Sequence, residues 1–187
     1  MVREGRDDEA ATIIGKVLRE LHDAWPSHPP AELKPLRLWF RALFEQANND
    51  RRQSNRSIFV VAAEAAGTLL ATAKRAVVLH GDIHHENIKM SSRGWLALDP
   101  KGLAGDPDYD AANTLFNPVG IPDLVEDEAR LRRIAGILAK GMATDPNRII
   151  TYAFVHSCLS YCWDMEDGKI PDPRWLKMAE LMQTHII

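Results

Sequence analysis

Between Ala76 and Leu98 the helical periodicity that governs the rest of this chain gives way to three short apolar runs. These are Ala76-Val77-Val78-Leu79, Ile88-Lys89-Met90 and Trp95-Leu96-Ala97-Leu98, the last two separated by the turn-like Ser91-Ser92-Arg93-Gly94. Such runs read as short strands, the last two as a hairpin, and they are too few and too short to support a sheet with its own core. On the N-terminal side, Ala10, Ile13, Ile14, Val17, Leu18 and Leu21 form the stripe of an amphipathic helix from Asp8 to Trp25, stopped by Pro26, Pro29 and Pro30. A second helix is expected from Ala31 to Asn48, before the polar run Asn48 to Asn55. A third, rich in alanine and suited to close packing, is expected from Ile58 to Lys74. After Asp99 the chain reads as loop through Pro100, Gly102, Gly105 and Pro107. Helices are then expected over Tyr109–Phe116, Pro122–Met142, Pro146–Met165 and Pro171–His185, with Pro122, Pro146 and Pro171 in first turns. No repeat or linker interrupts the pattern. The expected fold is α+β, mostly helical, as one domain over 1–187: helical over 1–75, β-containing over 76–110 and helical over 111–187.

With 187 residues and 45% hydrophobic side chains, the chain can bury a real core. Its 23 Lys and Arg against 26 Asp and Glu give a formal charge of −3, and no basic block occurs, so neither nucleic acid nor a membrane surface is expected as a partner. The longest apolar-rich stretch, Ile58 to Leu70, is interrupted by Glu64 and is too short to span a bilayer. Charged residues crowd the first eight positions where a signal peptide would be apolar, so the cytoplasm is the expected compartment. Cys158 and Cys162, four apart in a helical segment, read as reduced core thiols. Trp25, Trp39, Trp163 and Trp175 read as packing aromatics.

The unusual chemistry is confined to His80 through Asp110. It forms three polar clusters: His80-Gly81-Asp82-Ile83-His84-His85-Glu86-Asn87, then Asp99-Pro100-Lys101-Gly102, then Gly105-Asp106-Pro107-Asp108-Tyr109-Asp110. Asn87 and Asp99 are equidistant from Arg93 in the proposed turn, so antiparallel pairing is expected to set them side by side at the open end of the hairpin. An amide oxygen and a carboxylate, with room left for water and phosphate oxygens, suit Mg²⁺. Asp82 would lie on the loop entering the hairpin, placed to accept a proton from a bound hydroxyl. His-x-Asp, an Asn five residues after that Asp, and a later Asp is the spacing of a kinase catalytic loop.

Taken together, Leu79-His80-Gly81-Asp82-Ile83-His84-His85-Glu86-Asn87-Ile88, Trp95-Leu96-Ala97-Leu98-Asp99-Pro100-Lys101-Gly102 and Gly105-Asp106-Pro107-Asp108-Tyr109-Asp110 resemble the aminoglycoside/hydroxyurea antibiotic resistance kinases, a group that includes streptomycin 6-phosphotransferases. Asn117-Pro118 and Glu166-Asp167-Gly168 resemble the same family's helical flanks. The resemblance implies a protein-kinase-like fold, ATP and Mg²⁺ as cofactors, and a small-molecule hydroxyl as acceptor. It makes Asp82 the catalytic base and Asn87 and Asp99 the Mg²⁺ ligands. His80 would brace the loop, and Asp106 and Asp110 would hold it while opening the next helix, where acidic residues favour the N-terminal dipole.

The same resemblance implies an N-terminal lobe whose glycine-rich loop and lysine cover the triphosphate. Only 81 residues precede Asp82; they read as three helices, hold Gly5, Gly15 and Gly67, and contain no G-x-G-x-x-G. The expectation is therefore a C-terminal lobe only, with the N-terminal lobe missing and with little or no phosphoryl transfer of its own. Asp164, Glu166 and Asp167, on the last connection between helices, are candidates for binding a cationic acceptor, against the simpler view of a solvated acidic loop. Two other functions fit some features. A silent lobe could form a homodimer through the surface the absent lobe leaves open. A binuclear metallophosphatase could use His80-Gly81-Asp82-Ile83-His84 with Gly105-Asp106, although no Asn-His pair follows.

Overall fold

A computed structural model describes residues 1–24 and 28–186, so the expectations for Trp25 and Pro26 lie outside the described residues. The first helix, α1 (Asp7–Asp23), buries Ala10, Ile14, Val17 and Leu18, as its stripe requires. It crosses α6 (Glu128–Met142) at closest approach between two glycines: a Cβ on Gly141 would sit 3.1 Å from Gly15 Cα. A buried ion pair fixes the same crossing. The Arg130 guanidinium, 1% exposed, donates to both Asp7 oxygens at 2.7 and 3.1 Å and to the Asn117 carbonyl at 2.8 Å.

The helix expected over Ala31–Asn48 is instead three elements. Pro35 is extended (φ −71°, ψ 149°) and ends a short strand β1 (Lys34–Pro35), after which come α2 (Leu36–Trp39), a bend at Phe40, and α3 (Arg41–Arg52). Proline removes an amide donor and holds the residue before it out of the helical region, which moves the helix start beyond Pro35. The alanine-rich α4 (Ile58–Ala71) is capped by Ser57, whose Oγ accepts from Val60 N at 3.3 Å, and it ends three residues earlier than expected.

The Pro122–Met142 pattern likewise splits into α5 (Pro122–Val125) and α6, because Asp127 is extended and caps a new helix by accepting from Arg130 N at 2.6 Å. Helix α7 (Pro146–Glu166) is buried along most of its length and forms the centre of the domain. Helix α8 (Pro173–Gln183) begins after Asp172, so Pro173 rather than Pro171 occupies the first turn. Residues Pro107–Phe116, expected as a helix from Tyr109, form a 3₁₀ helix.

Two small sheets lie between these layers. Strand β2 (Val77–Leu79) pairs antiparallel with β5 (Leu103–Gly105), Val77 opposite Gly105 and Leu79 opposite Leu103, while β1 pairs parallel on the other side of β5. The stretch expected as loop after Asp99 thus contains a strand. Leu-Ala-Gly is too short to show a period, and only pairing with residues far along the chain makes it β.

The hairpin of β3 (Ile88–Ser91) and β4 (Gly94–Ala97) forms, but with Ile88 opposite Ala97 and Ser91 opposite Gly94. The reversal falls between Ser92 and Arg93, and Gly94 takes the φ of +97° that follows it. Asn87 therefore faces Leu98, whose amide donates to the Asn87 carbonyl at 2.9 Å, and the expected pairing of Asn87 with Asp99 is off by one residue. Among the described residues, no helix is long and apolar enough to cross a membrane.

Candidate active site

The loop after β2 turns sharply at Gly81, where φ is +82° and a Cβ would lie 2.6 Å from Leu103 Cδ1, so only glycine fits. Its backbone is held from below by Asp110. That carboxylate, fully buried, accepts from His80 N at 2.9 Å, from Gly81 N at 2.6 Å and from His22 Nε2 at 2.9 Å. His80 clamps the loop from the side. Its Nε2 lies 2.7 Å from the Leu98 carbonyl, which can only accept, so the proton sits on Nε2 and Nδ1 is left to accept from Asp82 N at 3.2 Å. Lys101 N donates to the His80 carbonyl at 2.7 Å, which ties the segment after the hairpin to the same loop.

Asp82 stands at the open side of this frame with both oxygens engaged. Oδ1 accepts from Asn113 Nδ2 at 2.7 Å, and Oδ2 lies 3.1 Å from the Lys101 ammonium. Asn87 Nδ2 donates to the Asp82 carbonyl at 2.9 Å, which commits the amide nitrogen and leaves the amide oxygen as a possible ligand. Asp99, three-quarters exposed and at a φ of +62°, is joined to Asp82 through Lys101, whose Nζ is also 3.1 Å from Asp99 Oδ2. The two carboxylates in turn push the Lys101 pKa up, Asp82 more than Asp99. The structure thus links Asp82 to Asn87 through the Asp82 carbonyl and to Asp99 through Lys101, by a route other than strand pairing.

Three participants were not evident from the chain. His22 comes from α1, far away in sequence. Lys101 lies inside a motif but gives no local sign of a role. Asn113 could have been found: on a 3₁₀ helix residues three apart share a face, so Asp110 and Asn113 point together at the loop.

Asp106 takes a different part. It caps the 3₁₀ helix through Asp108 N at 3.1 Å, accepts from Tyr152 OH at 3.0 Å, and pairs closely with Arg148, which also holds Asp108 at 2.8 Å. Burial, and after it the neighbouring Asp108 charge, raises its pKa. Of the residues the phosphatase alternative would use, Asp106 is paired with Arg148 and His80 is bound to the Leu98 carbonyl. Among the described residues, no three His, Cys, Asp or Glu side chains gather as metal ligands.

Asn87 and Asp99 offer oxygen donors, the kind a divalent cation such as Mg²⁺ takes, and the Lys101 ammonium lies 3.1 Å from both Asp82 and Asp99.

Aromatic side chains pack beside the end of α7, where the acidic segment begins. Trp39 Nε1 donates to Tyr109 OH at 2.7 Å, which donates in turn to His156 Nδ1 at 2.9 Å, and Trp163 meets Trp39 edge-on with centroids 4.8 Å apart. Burial lowers the His156 pKa to about 4, consistent with a neutral acceptor. Trp175, the last of the expected packing aromatics, lies edge-on to Phe116. Beyond Trp163, Asp164 Oδ2 accepts from Trp175 Nε1 at 3.2 Å and Asp172 N at 3.3 Å. Glu166 pairs with Arg41, and Asp167 with Lys169 at 2.6 Å.

Comparison with known proteins points one way. A family profile for the aminoglycoside/hydroxyurea antibiotic resistance kinases matches residues 1–168. A streptomycin 3''-kinase of Klebsiella pneumoniae is 37% identical over 169 residues, 88% of this chain and 60% of that protein. A streptomycin 6-kinase of Streptomyces griseus is 30% identical over 172 residues, 87% of this chain and 53% of its own length. The chain thus spans between half and two thirds of these relatives. Among solved structures, an ethanolamine kinase of Plasmodium vivax superposes with a TM-score of 0.54 at 17% identity, covering 97% of this chain and 60% of that one, a likeness of fold.

Proposed function

The chain belongs to the aminoglycoside/hydroxyurea antibiotic resistance kinases, and from that membership we propose that it carries the catalytic-loop half of an ATP-dependent phosphotransferase acting on a hydroxyl of a streptomycin-like aminoglycoside. The observation that carries this reading is Asp82, held at both oxygens and joined to Asn87 and, through Lys101, to Asp99. Asp82 orients the acceptor hydroxyl and takes its proton as the new P–O bond forms and the bond from the γ-phosphorus to the β,γ-bridging oxygen breaks, with ADP as the leaving group. Asn87, through its amide oxygen, and Asp99 would hold a Mg²⁺ ion, which would supply neutralisation of the charge on the nucleotide phosphates. His80 and Asp110 fix the loop so that Asp82 need not reorganise during transfer, which is where a kinase gains most of its rate. Asp106, with Arg148, anchors the start of the 3₁₀ helix that carries Asp110 and Asn113.

Asp164, Glu166 and Asp167 supply the negative field for a cationic acceptor, and Trp39 and Trp163 form the wall between that field and the loop. Among the described residues, Glu166 pairs with Arg41 and Asp167 with Lys169 at the surface, and each can exchange that partner for a cationic group of the acceptor.

The 187 residues contain no G-x-G-x-x-G and no Val-Ala-Ile-Lys-like run. Alone, they should hold Mg-ATP weakly and phosphorylate streptomycin at a rate near background. An assay of the purified chain with labelled ATP, Mg²⁺ and streptomycin checks both parts. Robust turnover overturns the expectation of weak activity, and turnover that survives Asp82→Asn overturns the role of Asp82.

A further inference from the structure

Lys101 reaches the site because of what Gly81 lacks. The β2–β5 register sets Leu79 opposite Leu103, and two residues further out it sets Gly81 opposite Lys101, where a Cβ on Gly81 would lie 3.2 Å from Lys101 Cβ. The backbone of Lys101 is anchored on the His80 carbonyl, while Asp99, two residues before it, lies in the left-handed region. From this anchored start the ammonium settles at equal distance, 3.1 Å, from Asp82 Oδ2 and Asp99 Oδ2. Asp99 is three-quarters exposed. Two carboxylates converging on one point repel unless a cation lies between them.

We propose that Lys101 is a positioning residue acting as a tethered counter-ion: it holds Asp82 and Asp99 together when no metal is bound, and it competes with the divalent ion for Asp99. The inference rests on Asp99 being a metal ligand. Its consequence is a site that takes a bare divalent ion poorly, because the incoming ion meets a fixed positive charge, and that favours an ion arriving with nucleotide phosphates to balance it. A lysine whose only role was structural would have the opposite effect. Its loss would let the carboxylates splay apart and would weaken metal binding.

Mn²⁺ alone, titrated into the 187-residue chain at low ionic strength and followed by water-proton relaxation, separates these cases without any turnover. Lys101→Met should bind Mn²⁺ on the order of tenfold more tightly than the parent, with the gain shrinking as salt is added. Lys101→Arg, which keeps the charge, should stay near the parent. Lys101 is about one-third exposed and fills no core space, so the Met variant should unfold cooperatively on heating. Lys101→Gln serves for the same comparison should it not. Affinity in the uncharged variants equal to or weaker than that of the parent overturns the counter-ion role while leaving Asp99 as a ligand. Failure of parent and variants alike to bind Mn²⁺ overturns the ligand assignment, and this inference with it.

Discussion

The carboxylates at the two ends of the candidate site are held in opposite ways. Asp110 is fully buried and satisfies three donors, two of them backbone amides of the loop that carries Asp82. Glu166 and Asp167 are 41% and 58% exposed, and among the described residues they pair with the surface cations Arg41 and Lys169. The first arrangement is rigid because each donor would be left stranded without it, and water cannot take its place. The second is soft, since exposed pairs are worth little and exchange partners easily. A phosphotransferase needs both, a frame that does not move around the reacting oxygen and a charged rim that adapts to the acceptor.

The contrast is most easily broken at Asp110. Asp110→Ala should cost roughly 3–5 kcal/mol of stability in urea unfolding, because it strands two backbone amides and His22 in the interior. A loss below about 1 kcal/mol would mean that water replaces the carboxylate and that the frame is not rigid.

A somewhat smaller effect is expected from pH. His156 is neutral and buried with a pKa of about 4, whereas in the unfolded chain it titrates near the ordinary 6.5. Its stabilising contribution is therefore complete above about pH 6.5 and declines as the pH falls toward 4, since only the unfolded state takes up the proton in that window. The loss should reach on the order of 3 kcal/mol. Unfolding curves measured between pH 7 and 4 test this, and His156→Gln should flatten the slope; an unchanged slope in that variant assigns the effect elsewhere.

The smallest stability change belongs to the rim. Glu166→Gln with Asp167→Asn should shift stability by no more than about 0.5 kcal/mol. The same double variant should weaken streptomycin binding by calorimetry, and the difference from the parent should fade as salt rises. Unchanged affinity at low salt would reduce these residues to a solvated acidic loop.

Much of this site is legible in the chain because its chemistry is local. His80, Asp82 and Asn87 lie within one loop, and their spacing carries meaning whatever the surrounding fold. Helices α1, α4 and α7 are legible for a similar reason, since an apolar stripe or a proline-led start is written within one element. The features that depart from the sequence pattern depend on partners distant in sequence. The strand Leu103–Gly105 exists only because Val77–Leu79 lies beside it, and the helix expected across Lys34 and Pro35 gives way to an extended segment paired with that strand. The hairpin was anticipated, but its register turned on which two residues make the reversal, and a shift of one residue was enough to move Asp99 off Asn87.

By itself the sequence determined the family, the mostly helical fold and the loop that holds Asp82, because spacing and residue type suffice for those. The tertiary structure alone decided how Asp99 reaches Asp82, through the ammonium of Lys101 rather than through strand pairing. It also decided that Asp110 is sealed by a histidine from the first helix and that Asn113 donates to Asp82. The physical reason is common to all three. A charge in a site is set by whatever lies within a few ångströms of it, and no local pattern in the chain specifies neighbours that folding brings from elsewhere.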